Sequence, residues 1–408
     1  MKNYLFILTV FLTAMLFSCR QTDQVSGNAQ WRGEGRDGVY KETGLLKVWP
    51  DEGPQLLWSF DGLGEGHTSV AVASGKIYIT GMHDDVLMLY VFDMTGSLLT
   101  EKEIGKEWNT NWNGTRSSVC INDGKLYIFN ALGNLYCFDE ATLDAVWTKD
   151  LFNDLDGKSI QFGMTENPLI AGEKIFMHPG GEINNMVALN KNTGELIWTS
   201  PGEGTTSAYG SPQYITGYSV PIVVTNSQEH IIAFNAETGE KLWSYPQKTQ
   251  YSVHANTPLY GDGTILSSTG GGGGSLMLRL TDGGKSVELA WKNEELDNQM
   301  GGAIKLGDYV YSSGQNNRFW FCVDWKTGET KYKVSEMAPC NVIYADGMLY
   351  CYGEKGFMYL VNPNPERFEL VSSFEVKMGT NQHWAHPVIH DGVLYIRHGD
   401  TLMAYKIK

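Results

Sequence analysis

Residues His230–Tyr245 read HIIAFNAETGEKLWSY. An apolar, β-prone run (His230–Phe234) meets a turn on Asn235-Ala236-Glu237-Thr238-Gly239 and returns as a second run carrying Trp243. Asn opens the turn and Gly sits where a positive φ is needed, the chemistry of a tight β-hairpin. The unit recurs as MVALNKNTGELIW (Met186–Trp198), LYCFDEATLDAVW (Leu135–Trp147) and FWFCVDWKTGETKY (Phe319–Tyr332). Looser copies lie at Leu89–Thr100, Met358–Leu370 and Leu402–Lys408. A repeat at this spacing decides the fold before any single residue does.

Upstream of each hairpin stands another β-prone strand, placing Tyr78, Tyr127, Phe176, Val223, Leu266, Tyr311, Tyr350 and Tyr395 in register, 39 to 49 residues apart. Eight cycles of four strands predict an all-β fold: an eight-bladed β-propeller of four-stranded antiparallel blades. The last cycle ends after its third strand, while Gln55–Phe60 (QLLWSF) is a strand with no partner before it. Closure of the ring by this N-terminal strand removes two open edges. A seven-bladed ring would require one cycle to be something else, and Tyr251–Asn293, with its Gly270–Gly274 run, is the weakest. That run lacks the Lys-Ser/Thr of a phosphate loop and joins two strands, so it reads as a flexible connection.

The remainder of the 408 residues divides simply. Residues 1–18 read as a lipoprotein signal peptide, a Lys followed by an apolar run too short to span a bilayer. Cys19 is the expected lipidation site, residues 19–30 a polar tether, 31–54 a Gly-rich lead-in without periodicity, and 55–408 one propeller. The expected location is the bacterial cell envelope, lipid-anchored, at the outer membrane facing the periplasm. A net charge of -15 without acidic runs excludes a nucleic-acid partner and an electrostatic hold on anionic lipid, leaving the lipid as the only membrane contact. Five further cysteines form neither a CxxC motif nor an even set; Cys137 and Cys322 stand where other repeats carry Ala, as small buried residues. A monomer is expected.

The repeat Ala/Cys-Phe/Leu-Asp-x-x-Thr-Gly-Glu-x-x-Trp resembles that of the PQQ-like β-propellers, over roughly Gln30 to Lys408. That family includes quinoprotein alcohol dehydrogenases and the propeller lipoprotein of the outer-membrane barrel assembly machinery. The lead-in Trp31-Arg32-Gly33…Trp49-Pro50 is similar to that of secreted PQQ-like repeat proteins. The resemblance implies the fold and is nearly silent on function.

In such blades the crossovers and the second-to-third-strand loops share one face. Eight of the nine histidines fall there and only His390 on the other. The same face carries the crossover Lys106–Thr115 (KEWNTNWNGT). Its two tryptophans among asparagines suit stacking and hydrogen bonding to a sugar or peptide. The expected ligand-binding residues are His67, Trp108, Trp112, Arg116, Tyr209, His254, Trp384 and His386, with Glu166, Asn167 and Met300 near the channel mouth. The expected function is non-catalytic: one face as a binding or scaffold surface for protein or glycan. Alternatives are a quinoprotein dehydrogenase, for which the resemblance would ask for PQQ, calcium and a carboxylate, and a propeller polysaccharide lyase. The chain carries no vicinal Cys pair and no clustered Asp/Asn/Glu set, so no cofactor and no metal is predicted.

Overall fold

The computed structural model describes residues 28–337 and 339–408. The expected signal peptide, Cys19 and most of the expected tether lie outside them. Eight four-stranded antiparallel sheets form the blades: blade 1 (71–106), 2 (120–150), 3 (169–200), 4 (213–246), 5 (259–293), 6 (303–334), 7 (340–375) and 8 (388–406). Blade 8 takes its outer strand from the other end of the chain: Gln55–Phe60 pairs antiparallel with Thr401–Lys406. The weakest cycle is an ordinary blade, with a 3-10 turn at Asp282–Gly284 in place of the Asn-x-x-Thr-Gly hairpin.

The repeat motif explains how blades adhere. Trp147, Trp198, Trp243 and Trp291 each donate their indole N–H to a carbonyl in the last hairpin of the following blade: Lys191, Ala236, Gly284 and Trp325 respectively. Where that hairpin carries the repeat's Gly, the indole lies against it: a methyl group on Gly239 (φ +76°) would stand 2.5 Å from Cε3 of Trp198. Gly194 and Gly328 meet Trp147 and Trp291 in the same way. Trp and Gly of the motif are therefore partners across a blade boundary, not within one hairpin.

Blade 7 has Ser372 where five of the blades carry Trp, and the lead-in fills the gap. The backbone N–H of Trp49 donates to Ser372 Oγ at 3.1 Å, and its ring packs 5.7 Å from Tyr350, as Trp198 does 5.8 Å from Phe176.

A second ring of contacts runs around the inner strands. The backbone N–H of Ser69 donates to Ser118 Oγ, that of Ser118 to Asn167 Oδ1, and that of Asn167 to Ser211 Oγ. Asn256 and Asn341 continue it, reaching carbonyls of Asn298 and of Trp384 and Ala385. Small polar residues at one repeat position thus pass hydrogen bonds from blade to blade where a hydrophobic side chain could not.

The rest of the lead-in occupies the central channel. Ala29 bridges Ile121 beside the Asp123–Gly124 turn of blade 2, whereas Val39–Tyr40 runs parallel to the inner strand of blade 7 down to its Asp346 turn. Between them the chain climbs to Trp31 and turns back, with Gly38 N–H bonded to Arg32 O. This hairpin-like plug enters from the tight-turn face. Arg32 donates to the carbonyls of Gly301, Val342, Ala303 and Asp37, and Arg36 to those of Asn167 and Pro168. Burial pulls both guanidiniums down to about 10, so they stay charged, held by carbonyls alone apart from His386 and Gln30.

Candidate functional site

Above the plug, on the crossover face, the channel mouth opens as a cavity of about 800 Å³. The volume falls in the range of small-molecule sites. Among the residues expected from sequence, His67, Trp112, Arg116, Tyr209, Trp384 and His386 line it, together with Asn167 and Met300. Trp108 and His254 lie outside its walls. Trp108 packs on Gly163 of the next crossover and donates to Asn111 O, so it buttresses the loop that carries Trp112. His254 is buried and faces Gln228 O at 3.2 Å. Glu166 lies behind the wall, where its carboxylate accepts the His178 N–H and burial pushes it up to about 8.

The histidine sorting separates into structural and cavity groups. His83 faces Gly62 O and Tyr90, His178 faces Asn185, and both ring nitrogens of His398 face carbonyls. Only His67, His383 and His386 reach the cavity.

Rings make its rim and floor. Trp112 is 50% exposed at the tip of its crossover, with its backbone in the left-handed region at φ 46°. Its ring lies 5.2 Å from Trp384, which lies 5.0 Å from His67. Trp31, from the plug, meets His386 edge-on at 5.1 Å and joins the lining with Phe162. The lead-in thereby turns a channel into a blind cavity, and Trp31 is the functional candidate that sequence reading left out. Its signal was slight: a Trp-Arg-Gly with no period to place it.

Arg116 is tied to its own loop. Its guanidinium donates to the carbonyls of Gly114, Asn111 and Trp112, and burial pulls it down to about 10. The side chain pins the strained Trp112 loop, which a non-glycine residue at positive φ requires. Glu354 is likewise committed, to Gln315 and Arg318. His67 has both ring nitrogens buried without a partner among the described residues, and burial beside Arg397 and Arg116 drives it down to about 3. His386 must accept at Nδ1 from Arg32 Nη1 (3.3 Å), because a guanidinium only donates. Its Nε2 then carries the proton.

The residues present do not gather into a carboxylate cage for the calcium of the dehydrogenases. Among the described residues no three of His, Cys, Asp and Glu gather as a cation site, and the plug fills the channel axis.

The fold is that of a closed eight-bladed propeller built from PQQ-like repeats. The chain belongs to the family described as outer membrane protein assembly factor BamB, whose pattern matches residues 88–216 and 184–364. The crystal structure of BamB from Moraxella catarrhalis superposes with a TM-score of 0.65 at 15% identity, covering 87% of this chain and 100% of that one. The quinohemoprotein alcohol dehydrogenase from Comamonas testosteroni gives 0.63 at 12%, covering 91% and 79%. The computationally designed Ika8 protein gives 0.64 at 13%, covering 86% and 100%. At such identities the likeness concerns the fold. No curated protein sequence matches the chain.

Proposed function

We propose that this chain is a non-catalytic binding protein of the cell envelope that presents the crossover-face cavity to a protein or glycan partner. The observation that carries the reading is the blind, ring-lined cavity made when Trp31 and the lead-in close the channel. Family membership supports an envelope setting and a scaffold role. The lead-in enters at the tight-turn face, where Asp123 N–H meets Asn28 Oδ1. A lipid on Cys19, at the outer membrane and facing the periplasm, would therefore leave the cavity pointing away from the bilayer.

The test compares faces. Trp112→Ala and Trp384→Ala should each weaken a partner by about 1–3 kcal/mol, as loss of a contact aromatic does. His390→Ala, on the tight-turn face, should change binding by less than about 0.5 kcal/mol. Turnover of an alcohol with added quinone and calcium would instead establish the dehydrogenase reading. A partner whose binding ignores both tryptophans would place the site elsewhere.

A further inference from the structure

The charged groups of the cavity wall are hydrogen-bonded within the protein, and the lining groups without such bonds are neutral. Arg116 spends its guanidinium on three carbonyls of its own loop, and Glu354 is held by Gln315 and Arg318. Arg32 lies beneath the floor, bonded to four carbonyls and to His386. Among the described lining residues, a carboxylate or phosphate entering the cavity would meet only Arg116 as a cation, already engaged in holding the Trp112 loop, and a desolvated charge without a close partner is costly.

What the cavity does offer is rings and neutral hydrogen-bonding groups. Trp112 and Trp384 stand 5.2 Å apart at 51°, two tilted walls rather than a closed stack, and Trp112 presents half of its surface. Beside them His386 offers Nε2–H, a donor fixed by the Arg32 contact at its other nitrogen. Gln299, whose side chain packs along Gly270, and Gln382 line the same space, and neither side-chain amide has a hydrogen bond to a described residue. His67, with two unpartnered buried nitrogens, adds unmet capacity at the wall. An amide both donates and accepts, which matches a hydroxyl that does both. The C–H faces of a pyranose ring match an indole face, which is apolar and electron-rich. A peptide would also need a row of backbone donors and acceptors, whereas the inner-strand entrances are consumed by the Ser/Asn ring that joins the blades.

We infer that the crossover-face cavity binds an uncharged oligosaccharide, stacked on Trp112 and Trp384 and hydrogen-bonded by His386, Gln299 and Gln382. This rests on the binding reading above and narrows it to one ligand class. Arg116 is a positioning residue here: it holds the Trp112 loop and touches no sugar. Within about 800 Å³ the site accommodates a short oligosaccharide, not a polymer passing through, because the plug closes the far end.

The experiment uses the full chain purified in a detergent without a sugar headgroup. It is applied to an array of neutral and acidic oligosaccharides and, in parallel, to a random peptide library. The best binders are then titrated by calorimetry. The expected result is a neutral oligosaccharide whose affinity falls about ten-fold or more in Trp112→Ala and in Trp384→Ala. Gln382→Ala should cost a few-fold, and all three variants should keep the wild-type melting temperature. Arg116→Gln should weaken the same sugar while raising the protease sensitivity of the 106–117 crossover, the signature of a positioning role. If acidic sugars bind more tightly than neutral ones, the inference is overturned. If only peptides bind in a manner that depends on Trp112, the saccharide is wrong while the cavity remains the binding site. If nothing on either array depends on Trp112 or Trp384, both readings fall.

Discussion

Replacing Gly239 by Ala should be rescued in part by removing a tryptophan one blade earlier. Gly239 has φ +76°, and an added methyl would lie 2.5 Å from Cε3 and 2.8 Å from Cδ2 of Trp198. Two costs follow. Left-handed backbone at a non-glycine residue costs about 1–2 kcal/mol, and overpacking a filled contact adds about 1–3 kcal/mol. Gly172 supplies the control: it has φ +59° but nothing within 4 Å of the added methyl, so Gly172→Ala should show the backbone cost alone. Trp198→Ala by itself removes a buried ring, its Phe176 contact and its bond to Ala236 O, for about 3–5 kcal/mol. In the Trp198→Ala background the steric share of Gly239→Ala vanishes. The double variant should therefore be more stable than the sum of the singles by about 1–3 kcal/mol. Urea unfolding followed by far-ultraviolet circular dichroism measures all four proteins without relying on indole fluorescence. Strict additivity, or a Gly172→Ala cost equal to that of Gly239→Ala, would refute the cross-blade pairing of Trp and Gly.

Stability should depend on pH in two opposing limbs. Burial drives His178 and His254 down to about 4, so the unfolded chain binds their protons first; their contribution is present above about 6.5 and is lost as pH falls toward 4. At pH 5 each should cost about 2 kcal/mol, and His178→Gln should flatten that limb in an acid-unfolding series. Glu166 and Glu107, pushed up to about 8 and about 7, act oppositely: their protonated forms favour the fold below about 4.5, and the benefit is lost as pH rises through 7 and 8. Glu166→Gln should therefore raise stability at pH 9 relative to pH 5, and an unchanged ratio would exclude the carboxyl. Arg32→Ala removes the side-chain donor shared by four carbonyls, of which Gly301 O keeps the Val342 N–H, and should lower the melting temperature by several degrees while exposing the Trp31 segment to limited proteolysis; a variant with wild-type protection would mean the plug is dispensable. Cys19→Ser should release the chain from the membrane fraction with its circular dichroism unchanged, and continued sedimentation at high salt would identify another anchor.

The eight blades, their order and the closure by Gln55–Phe60 were all legible in the sequence, because a propeller repeats one local pattern. The turn at Asn235–Gly239, the second-strand residue in register and the Trp that ends five of the blades are short-range signals. Each copy reinforces the others. Cys137 and Cys322 were legible as small buried residues for the same reason: the strand position, not the thiol, dictates them. Six of the eight expected ligand residues lie around one cavity because entrances to inner strands converge on the axis whatever their side chains.

Only the tertiary structure decided what fills that axis. The lead-in has no period, and its meaning lies in partners far away along the chain: Arg32 answers carbonyls near residues 301 and 342, and Arg36 those at 167 and 168. Trp49 likewise looks like an isolated tryptophan until Ser372 is seen to leave its slot empty. Trp108 and Trp112 are nearly equivalent in sequence, yet one faces Gly163 and the other solvent. Arg116 reads as a ligand's counter-ion until three of its N–H donors are seen to hold its own loop. Periodicity reports which side of a strand meets the core, and it does so locally. Which side chain spends its hydrogen bonds on the protein, and which keeps them for a ligand, is settled only when distant segments meet.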